Sequence, residues 1–575
     1  MPASAAARFT SMLSLLVVLG LVVAACTPGN SGSPNASASG APSGSGSTAT
    51  GGTVHIGWGG SPDSLNPGDG LLEESYILYE LVYDTPVGLD GEGNFVPELA
   101  TDWTASDDGL TWTLKLVDNA KFHDGTPLTS EDVKFTLELY RDTADFPYLP
   151  SYCDVCESVE APDPTTVLIH LTDPVGNFES RMAFMYILLK AIWEGVSDPV
   201  AFENKEMIGS GPFKLVENVQ NDHVTLETNK DYWRTPANVD GLIFQTIDNP
   251  DARVAALTNG DVDMITEFPA TAVTTLKNTE NVEVYIADEF PGSLRDVFFN
   301  QVDPDNCPPA PDGKCTGHPA LRDVKVRQAL ATAMDKQQIV DVAKLGLATP
   351  GLTLTTLGLG DYYASEVSDY AFNIAAANKL LDDAGYKDTD GDGIRECPAS
   401  MTACGKSGDL TFRFNYPDDI DSAPREAELL KGMWNQIGVD ITIGGLDADA
   451  LTAICCPAFD YDIALWGWDS DPDPQFLLGV ATCAEIESGF SETGYCNPAY
   501  DDLYAAQGIE LDHAKRVDLV HQMQQILIDD VVYTIPYYPQ DVEAFRTDRY
   551  SGWLTGPVTI GLTDPASLTV IRPVE

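Results

Sequence analysis

Basic residues are scarce in this sequence, which has 32 Lys and Arg against 88 Asp and Glu and a formal net charge of −56. Binding to nucleic-acid phosphates needs clustered Lys and Arg, so this shortage excludes nucleic acid as a partner. It also argues against electrostatic docking on anionic lipid. Most of the excess carboxylates are expected to form a solvated acidic surface that favours solubility.

Catalytic motifs are missing as well. The sequence has no Gly-x-Ser-x-Gly elbow, no His-Glu-x-x-His and no phosphate-binding loop that ends in Gly-Lys-Ser or Gly-Lys-Thr. The seven histidines are too scattered to form a site by spacing. Close pairs of acidic residues are expected by chance in so acidic a chain and do not indicate glycoside hydrolysis. These absences favour binding over catalysis.

The N-terminal segment has the features of a bacterial lipoprotein signal. An apolar run from Met12 to Val22 precedes Val23-Ala24-Ala25-Cys26 and is too short to span a bilayer comfortably. We predict that residues 1–25 are a removed signal peptide and that Cys26 is lipidated. Residues 26–52 continue as a Gly/Ser-rich, flexible tether. The chain is therefore expected to be exported and held by its lipid on the outer face of the cytoplasmic membrane, or in the periplasm.

Ten cysteines remain beside Cys26, and an even number in an exported chain indicates disulfide bonds. Their spacing is local, so we expect near-neighbour pairs that close four surface loops, although spacing does not fix connectivity. A redox-active pair or half of a zinc site at the Cys-x-x-Cys has no support from the surrounding sequence. The candidates are Cys153 and Cys156, Cys307 and Cys315, Cys397 and Cys404, Cys483 and Cys496, and the adjacent Cys455 and Cys456.

The periodicity of the mature chain predicts an α/β protein of more than one lobe. Short strand-like segments and turns dominate from Thr53 to about Leu116, whereas helices and strands alternate in the second half. Roughly 520 residues follow the tether, which agrees with two or three domains. Helices are predicted over residues 323–343, 374–384 and 512–528, and another is predicted to be capped by Ser422.

A run of aromatic and acidic residues follows the strand-like segment from Tyr461 to Leu465. It reads Trp466-Gly467-Trp468-Asp469-Ser470-Asp471-Pro472-Asp473-Pro474. Indole rings offer flat apolar faces, and a carboxylate in a closed pocket selects a cationic or donor-rich ligand because an unpaired buried charge is costly. From composition alone, two core tryptophans followed by an Asp/Pro turn is the preferred interpretation.

A second acidic segment resembles the start of a calcium-binding loop, with oxygen donors at positions 1, 3 and 5 and Gly at position 6. Position 12 is Ala399, where the pattern has Glu, so Glu396 or Asp409 would have to replace it. A structural calcium site and a metal-free turn are equal alternatives, neither of them catalytic, and no cofactor is required. The candidate ligands are Asp388, Asp390, Asp392, Ile394 and Glu396.

Short motifs in a fixed order mark the chain from about Gly52 to Arg549. They are Ser61–Pro67 (SPDSLNP), Pro97–Trp103 (PELATDW), Lys121–Thr129 (KFHDGTPLT), Gly209–Phe213 (GSGPF), Val326–Leu330 (VRQAL) with Met334-Asp335, and Ala384–Tyr386 (AGY). Each motif is weak alone, but in this order and spacing the set resembles the extracellular solute-binding proteins of family 5. These are the large periplasmic or lipid-anchored receptors of peptide, nickel and oligopeptide ABC importers.

The resemblance implies a two-lobed, periplasmic-binding-protein-like α/β fold of the large class, with an extra small domain in the N-terminal lobe. Ligand then lies between the lobes and is enclosed when they close. On this basis we place the N-terminal lobe at residues 53–310 plus 545–575, its small domain at about 86–200, and the C-terminal lobe at 311–544.

The resemblance also implies a binding site. In peptide-binding relatives an aspartate three residues after a tryptophan receives the α-ammonium of the peptide, which here indicates Asp471 after Trp468. The stretch that follows is shorter than in dipeptide receptors. Trp58 is a candidate second wall. The candidate ligand-binding residues are Trp58, Ser61, Trp466, Trp468, Asp469, Asp471 and Asp473.

The sequence thus predicts a monomeric, non-catalytic receptor that binds a solute, by default a peptide, and delivers it to the permease subunits of an ABC importer. An oligosaccharide stacked on Trp58, Trp466 and Trp468 is the alternative ligand, and nickel is the third because histidine is sparse. A secreted hydrolase or a surface adhesion protein would belong to other classes. The first would turn over peptide or glycan, and the second would leave a deep cleft unexplained.

Overall fold

The computed structural model of the protein describes residues 50–574 except 92, 148, 288–291, 405–407, 419 and 556–560. The strands, numbered in chain order, are β1 (Thr53–Trp58), β2 (Val87–Leu89), β3 (Phe95–Pro97), β4 (Ala100–Ala105), β5 (Thr111–Leu116), β6 (Cys156–Asp163), β7 (Thr166–Leu171), β8 (Phe213–Val219), β9 (His223–Thr228), β10 (Gly241–Thr246), β11 (Met264–Ile265), β12 (Val282–Ile286), β13 (Ser293–Phe299), β14 (Ala348–Pro350), β15 (Thr411–Pro417), β16 (Asp440–Leu446), β17 (Ile463–Asp469), β18 (Tyr533–Pro539), β19 (Val542–Arg546), β20 (Tyr550–Ser551) and β21 (Arg572–Pro573).

The helices follow the same numbering. They are α1 (Glu73–Val82), α2 (Ser130–Asp142), α3 (Pro150–Cys153), α4 (Phe178–Met182), α5 (Lys190–Trp193), α6 (Pro250–Asn259), α7 (Val273–Lys277), α8 (Val324–Thr332), α9 (Lys336–Ala343), α10 (Ile374–Ala384), α11 (Ala423–Trp434), α12 (Ala448–Cys455), α13 (Gln475–Gly479), α14 (Glu485–Ser488), α15 (Pro498–Ile509), α16 (His513–Asp529) and α17 (Pro565–Val570). No helix of the described residues is both long and apolar enough to cross a membrane.

A seven-stranded mixed sheet organises the first lobe, in the order β12-β19-β11-β1-β10-β9-β8. Strand β1 lies at its centre and pairs in parallel with β10 and β11. The apolar side chains of β1 alternate with half-buried ones, and Val54 and Ile56 are fully buried with Leu242 and Phe244. The C-terminal strand β19 joins this sheet between β11 and β12.

A smaller antiparallel sheet, β4-β5-β7-β6, belongs to an excursion between α1 and β8. Helix α2 packs on it, and together they enclose a separate core that includes Leu114, Val133, Leu137 and Ile169. The main chain of Thr129 donates to the Asp132 carboxylate over 2.9 Å, which satisfies an amide at the start of α2. This unit therefore has its own hydrophobic core beside the seven-stranded sheet.

The second lobe is built on a six-stranded sheet in the order β14-β18-β13-β17-β15-β16. Helices cover both faces. One face packs against α8, α9, α10 and α11 through side chains such as Leu330 and Trp434. The other packs against α12, α13, α15 and α16 through side chains such as Tyr500 and Met523. Parallel pairing of β15 with both β16 and β17 agrees with this double cover, because parallel sheets are normally buried on both faces.

The strand pairing differs from the predicted lobe limits at two places. Strand β13 pairs with β17 and β18 of the second sheet, although it precedes the expected boundary at residue 310. Strand β19 pairs within the first sheet from Val542, ahead of the expected return at residue 545. Strand partners depend on contacts with residues far away in sequence, so local pattern could not place these crossings.

Two of the helix predictions are corrected. Residues 323–343 form α8 and α9 rather than one helix, because Asp335 starts the second helix by accepting from the Gln338 amide over 3.0 Å. Ser422 precedes α11 but makes no capping hydrogen bond with its side chain. The four expected loop-closing disulfides are formed, as Cys153–Cys156, Cys307–Cys315, Cys397–Cys404 and Cys483–Cys496, and the adjacent candidates Cys455 and Cys456 are also bonded to each other.

Candidate ligand-binding cleft

The chain passes between the two large sheets twice, and described residues at the two passages contact each other. Strand β12 leads towards β13, and β18 leads back to β19 through only two residues, Gln540 and Asp541. The Ala287 amide donates to the main-chain oxygen of Asp541 over 3.1 Å, which ties the two passages together. Adjacent crossings of this kind are the usual place for a hinge between lobes.

The aromatic and acidic run predicted from the sequence lies at this hinge. Ser293, the first residue of β13, pairs with Asp469, the last residue of β17, and its hydroxyl donates to the Asp469 carboxylate over 2.6 Å. The next amide, of Ser470, donates to the Gly292 oxygen over 2.6 Å. The run therefore continues from the end of β17 directly beside the first passage between the lobes.

Trp466 and Trp468 lie on the same face of β17 and are both half-buried. Trp468 donates from Nε1 to Oε2 of Glu492 over 2.8 Å, and its ring meets Phe476 edge-on with 5.7 Å between centroids. Each indole thus packs partly on the core of the second lobe and keeps part of its surface accessible. The interpretation of both residues as core therefore holds only in part, because each side chain is half-buried.

The three aspartates of the run have different surroundings. Asp469 is exposed and engaged by Ser293. Asp473 is 6 % exposed and forms a two-pronged ion pair with Arg516, whose Nη2 donates to Oδ1 over 2.8 Å. This pairing neutralises Asp473, which is therefore a structural residue rather than a ligand contact.

Asp471 is half-buried, and no side chain of the described residues donates to its carboxylate. Burial raises its pKa to about 6, and the negative charge of Asp473 adds to the effect. A carboxylate that loses water without gaining a partner is costly to ionise. Asp471 is the member of the run that would gain most from a cationic group of a ligand.

Trp58 and Ser61 are tied into the first lobe. Trp58 is 1 % exposed, donates from Nε1 to the Thr246 hydroxyl over 3.3 Å, and packs 4.6 Å from the Phe244 ring. The Ser61 hydroxyl lies 3.0 Å from that of Thr246 and accepts from the Asn221 amide. Trp58 presents no ring face to a ligand, which corrects its assignment as a second wall.

The fold brings to the hinge, from both lobes, a set of carboxylates that no sequence pattern predicts. Burial first, and then four neighbouring negative charges, raise the pKa of Glu73 at the start of α1 to about 8. Glu73 keeps access to solvent while protein surrounds it on most sides, as expected in a cleft. The neighbours are Glu267, Asp541, Glu74 and Asp469, in order of effect. Such a concentration of negative charge favours a cationic ligand group.

Two basic side chains offset part of this charge. Arg253 is 3 % exposed and lies 3.9 Å from the Glu267 carboxylate, while it donates to the main-chain oxygen of Ile247 over 2.9 Å. Lys344 lowers the pKa of Asp541, but burial and nearby carboxylates dominate and raise that pKa to about 6. No spacing in so acidic a sequence distinguishes these hinge carboxylates from those on the surface.

The proposed calcium loop lies in the second lobe, between α10 and β15. The carboxylates of Asp388, Asp390 and Asp392 are exposed and lie within 4.8 Å of one another. Asp388 accepts from the Gly391 amide over 2.6 Å, and Glu396 accepts from the Thr389 amide over 2.8 Å. These bonds are equally those of a plain Asp/Gly turn, so both interpretations stay predictions. The predicted lipidation site, Cys26, lies outside the described residues.

The sequence pattern of the family described as bacterial extracellular solute-binding proteins, family 5 Middle, matches residues 94–487, more than half of the chain. The protein belongs to this family. Members of family 5 bind solutes outside the cell and are receptors rather than enzymes. The resemblance drawn from the short motifs is confirmed.

Relatives of this family-5 protein share most of its length. The oligopeptide-binding protein AppA of Bacillus subtilis (strain 168) is 28 % identical over 541 residues, which cover 92 % of this chain and 93 % of AppA. The dipeptide-binding protein of Escherichia coli (strain K12) is 24 % identical over 532 residues, or 87 % and 91 % of the two chains.

Solved structures agree with the fold. The substrate-binding protein CtaP of Listeria monocytogenes superposes with a TM-score of 0.78 at 27 % identity, over 92 % of this chain and 100 % of CtaP. AppA of Bacillus subtilis, solved with a nonapeptide, gives a TM-score of 0.72 at 24 % identity, over 92 % and 100 % of the two chains. The predicted two-lobed α/β fold is confirmed.

Proposed function

We propose that this protein is a non-catalytic extracellular receptor that binds a peptide between its lobes and delivers it to the permease subunits of an ABC importer. Membership of family 5 and similarity to proteins named for oligopeptide and dipeptide binding support the proposal. The observation that carries the peptide assignment is the unpaired, half-buried carboxylate of Asp471, three residues after the partly accessible Trp468 in the run at the hinge.

The chemistry of a peptide N-terminus fits this arrangement. An α-ammonium brings one positive charge and three hydrogen-bond donors, and Asp471 supplies acceptors that the described side chains leave unused. Pairing the two would offset the cost of holding that carboxylate away from water. The indole of Trp468 would pack on the apolar part of the first residues, while Glu73 and Asp541 from the opposite lobe and the hinge favour further positive charge.

An oligosaccharide remains the alternative ligand, because half-buried indoles at Trp466 and Trp468 offer faces on which sugar rings stack. The burial of Trp58 removes one of the three tryptophans on which this alternative depends. A neutral sugar would also leave the charge of the hinge carboxylates uncompensated. The geometry therefore supports a peptide more strongly.

The lipid anchor on Cys26, the monomeric state and the calcium loop are further parts of the proposal. The signal-like N-terminal sequence supports the anchor, and the cluster of Asp388, Asp390 and Asp392 supports calcium. An anchored receptor with a flexible tether would hold the lobes close to the importer.

The proposal is tested on the soluble protein from Gly52 onward. Native mass spectrometry before and after denaturation identifies what co-purifies, and released peptides support the proposal whereas released sugars contradict it. Calorimetry with the recovered peptide, or with synthetic trilysine if the protein is empty, then compares wild type with Asp471→Ala. We expect binding to weaken by about 10- to 100-fold, since charge-assisted hydrogen bonds contribute roughly 1.5–3 kcal/mol.

Asp305→Ala is the matched control, because Asp305 is an exposed carboxylate in a surface turn of the second lobe. It should bind as wild type does. Equal affinity of Asp471→Ala and wild type would contradict the role of Asp471 as the ammonium anchor. Turnover of the bound peptide by wild type would overturn the receptor proposal as a whole.

A further inference from the structure

Behind the indole of Trp468, two carboxyl groups are buried together in the second lobe. Glu492, in the loop between α14 and α15, is 5 % exposed, and Asp296, in β13, is 0 % exposed. The two carboxyl groups interact directly, since each is among the groups that shift the pKa of the other. Asp296 is also the register partner of Trp466 across the β13–β17 ladder. Asp296 therefore lies beside Trp466 on the same face of the sheet, and Glu492 contacts Trp468.

Among the described residues, Asp296 has no hydrogen-bond donor if both groups are ionised, whereas Glu492 accepts from Trp468. Neither oxygen of the Asp296 carboxyl has a hydrogen-bond donor among the described residues. The main-chain N–H groups of Asp296 and Trp466 lower the pKa of Asp296, but neither forms a hydrogen bond with its carboxyl group. One proton held between Asp296 and Glu492 would supply the missing donor. Two carboxyl groups in contact commonly retain a proton for this reason, because they cannot both ionise cheaply.

Electrostatics agree with a retained proton. Burial raises the pKa of Asp296 to about 7, although the charge of Arg295 opposes the shift. Burial, followed by the charge of Asp296, raises the pKa of Glu492 well above its usual range. The two groups titrate together, so these shifts belong to the pair rather than to either residue. The pair is thus expected to carry one proton near neutral pH.

The groups that face the pair from the surrounding elements do not replace this proton. Burial keeps Tyr461 and Tyr533 neutral by raising each pKa well above its usual value, and the Tyr533 hydroxyl favours ionisation of Glu492 but does not act on Asp296. Arg295 directs Nη1 to the Trp466 oxygen, 3.4 Å away, on the other side of β13. The groups that face the pair are Tyr461 before β17, Tyr533 in β18 and Arg295 in β13.

Glu492 is also held in place and holds Trp468 in turn. The Tyr461 hydroxyl donates to its main-chain oxygen, and Cys455 Sγ lies 3.9 Å from the same oxygen. With the main chain fixed, Oε2 accepts from Nε1 of Trp468 over 2.8 Å. A protonated Glu492 can donate to Asp296 with one oxygen and accept from Trp468 with the other.

We propose that Asp296 and Glu492 form a proton-sharing pair and that Glu492 is the positioning residue that holds the indole of Trp468 in the cleft. Its contribution to affinity rests on the proposed function, whereas its effect on Trp468 does not require a ligand. Loss of the shared proton at alkaline pH places two unpaired charges behind the indole. The indole is then expected to loosen and peptide affinity to fall.

The first test follows Trp468 itself without ligand. Acrylamide quenching of tryptophan fluorescence is measured from pH 6 to pH 9, and the signal of Trp468 is taken as the difference from a Trp468→Phe variant. Quenching should rise with pH in wild type. In Glu492→Gln it should stay at the low-pH value, because the amide donates to Asp296 and accepts from Trp468 without titrating. In Glu492→Leu it should be high throughout.

Glu426→Gln is the matched control, since Glu426 is another buried carboxyl, 1 % exposed, which accepts from the Tyr537 hydroxyl over 2.7 Å on the opposite face of the sheet. It should leave the quenching profile as in wild type. The same pH-dependent rise in Glu492→Gln as in wild type would overturn the shared proton. Unchanged quenching in Glu492→Leu would overturn the positioning role.

The second test measures trilysine binding by calorimetry at pH 6.5. Glu492→Gln should bind as wild type does, and Glu492→Leu about tenfold more weakly, the size of one lost hydrogen bond. Melting curves confirm that both variants are folded. If Glu492→Leu raises the quenching of Trp468 but binds trilysine as tightly as wild type, the proposed effect of Glu492 on peptide affinity is wrong. Failure of wild type to bind any peptide contradicts the proposed function alone, because the quenching measurement needs no ligand.

Discussion

Asp471 and Asp473 stand two positions apart in one turn, and their surroundings are opposite. Asp473 lies inside the second lobe and is fully paired with Arg516, which also contacts Tyr362 and Gln507. Asp471 lies towards the hinge, and no described side chain donates to it. Asp473 therefore stabilises the fold, whereas the charge of Asp471 stays uncompensated until a ligand binds. Residue type alone does not distinguish the two roles.

The largest expected effect on stability comes from breaking the ion pair between Asp473 and Arg516. Asp473→Ala leaves the Arg516 guanidinium buried without its counter-ion, which we expect to lower the free energy of unfolding by about 3–5 kcal/mol. Chemical denaturation measures this loss. The double variant with Arg516→Leu should lose less than the sum of the single changes, because the charges depend on each other. Strict additivity would show that the pair is not coupled.

Because the Asp471 carboxylate is unpaired, we expect it to cause a pH dependence of ligand binding rather than of stability. Protonated Asp471 cannot pair with an ammonium, and its pKa is about 6 in the free protein. Peptide affinity should therefore fall as the pH is lowered from 7.5 through 6 to 5. Asp471→Asn should bind weakly and lose most of this dependence. If the pH profile of peptide affinity is the same in Asp471→Asn as in wild type, a group other than Asp471 causes the pH dependence.

Glu73 extends the comparison to the first lobe. Its pKa is raised to about 8 from 4.5, so the folded state binds more protons than the unfolded state between these values. Stability should therefore decrease as the pH rises from about 4.5 to 8. Glu73→Gln should raise the melting temperature at pH 8, by the order of 1–2 °C for a protein of this size. The same change at pH 4.5 should have almost no effect, and an equal gain at both pH values would contradict the explanation.

The smallest effect is expected at the exposed acidic loop. If Asp388, Asp390 and Asp392 hold calcium, excess Ca²⁺ should raise the melting temperature and a chelator should remove the gain, since binding to the folded state stabilises it by about 2.7 kcal/mol at 100 times Kd. Asp390→Ala is the control and should abolish the shift. No shift in wild type would leave the segment as a metal-free turn. Peptide affinity should not change either way, because this loop lies outside the hinge.

Local structure was the part most open to prediction. The helix expected over residues 374–384 is α10, bounded by the Asn373 side chain that accepts from the Ala376 amide and by Gly385 with φ of 91°. A left-handed residue ends a helix, and glycine adopts it without strain. The helix expected over 512–528 is shifted by one residue. These agreements arise because caps and apolar spacing act within a few residues of one another.

The binding site was predictable only in outline. The run from Trp466 to Asp473 was recognised from its aromatic and acidic composition and from the family resemblance, but the role of each member was not. Arg516 forms an ion pair with Asp473, 43 residues before it in the sequence. Glu492 accepts a hydrogen bond from Trp468, 24 residues before it. Nothing in the spacing of the sequence marks these partners.

The amino-acid sequence by itself determined the family, the α/β class and the end of α10 at Gly385, and it favoured near-neighbour disulfides, because these depend on local spacing or on motifs in fixed order. Tertiary structure alone decided that β13 and β19 change sheets, that Trp58 is core, and that Asp473 is neutralised while Asp471 is not. Those outcomes depend on which residues, far apart in sequence, are buried in contact with one another. Burial and pairing set the energy of a charge, and they exist only once the chain has folded.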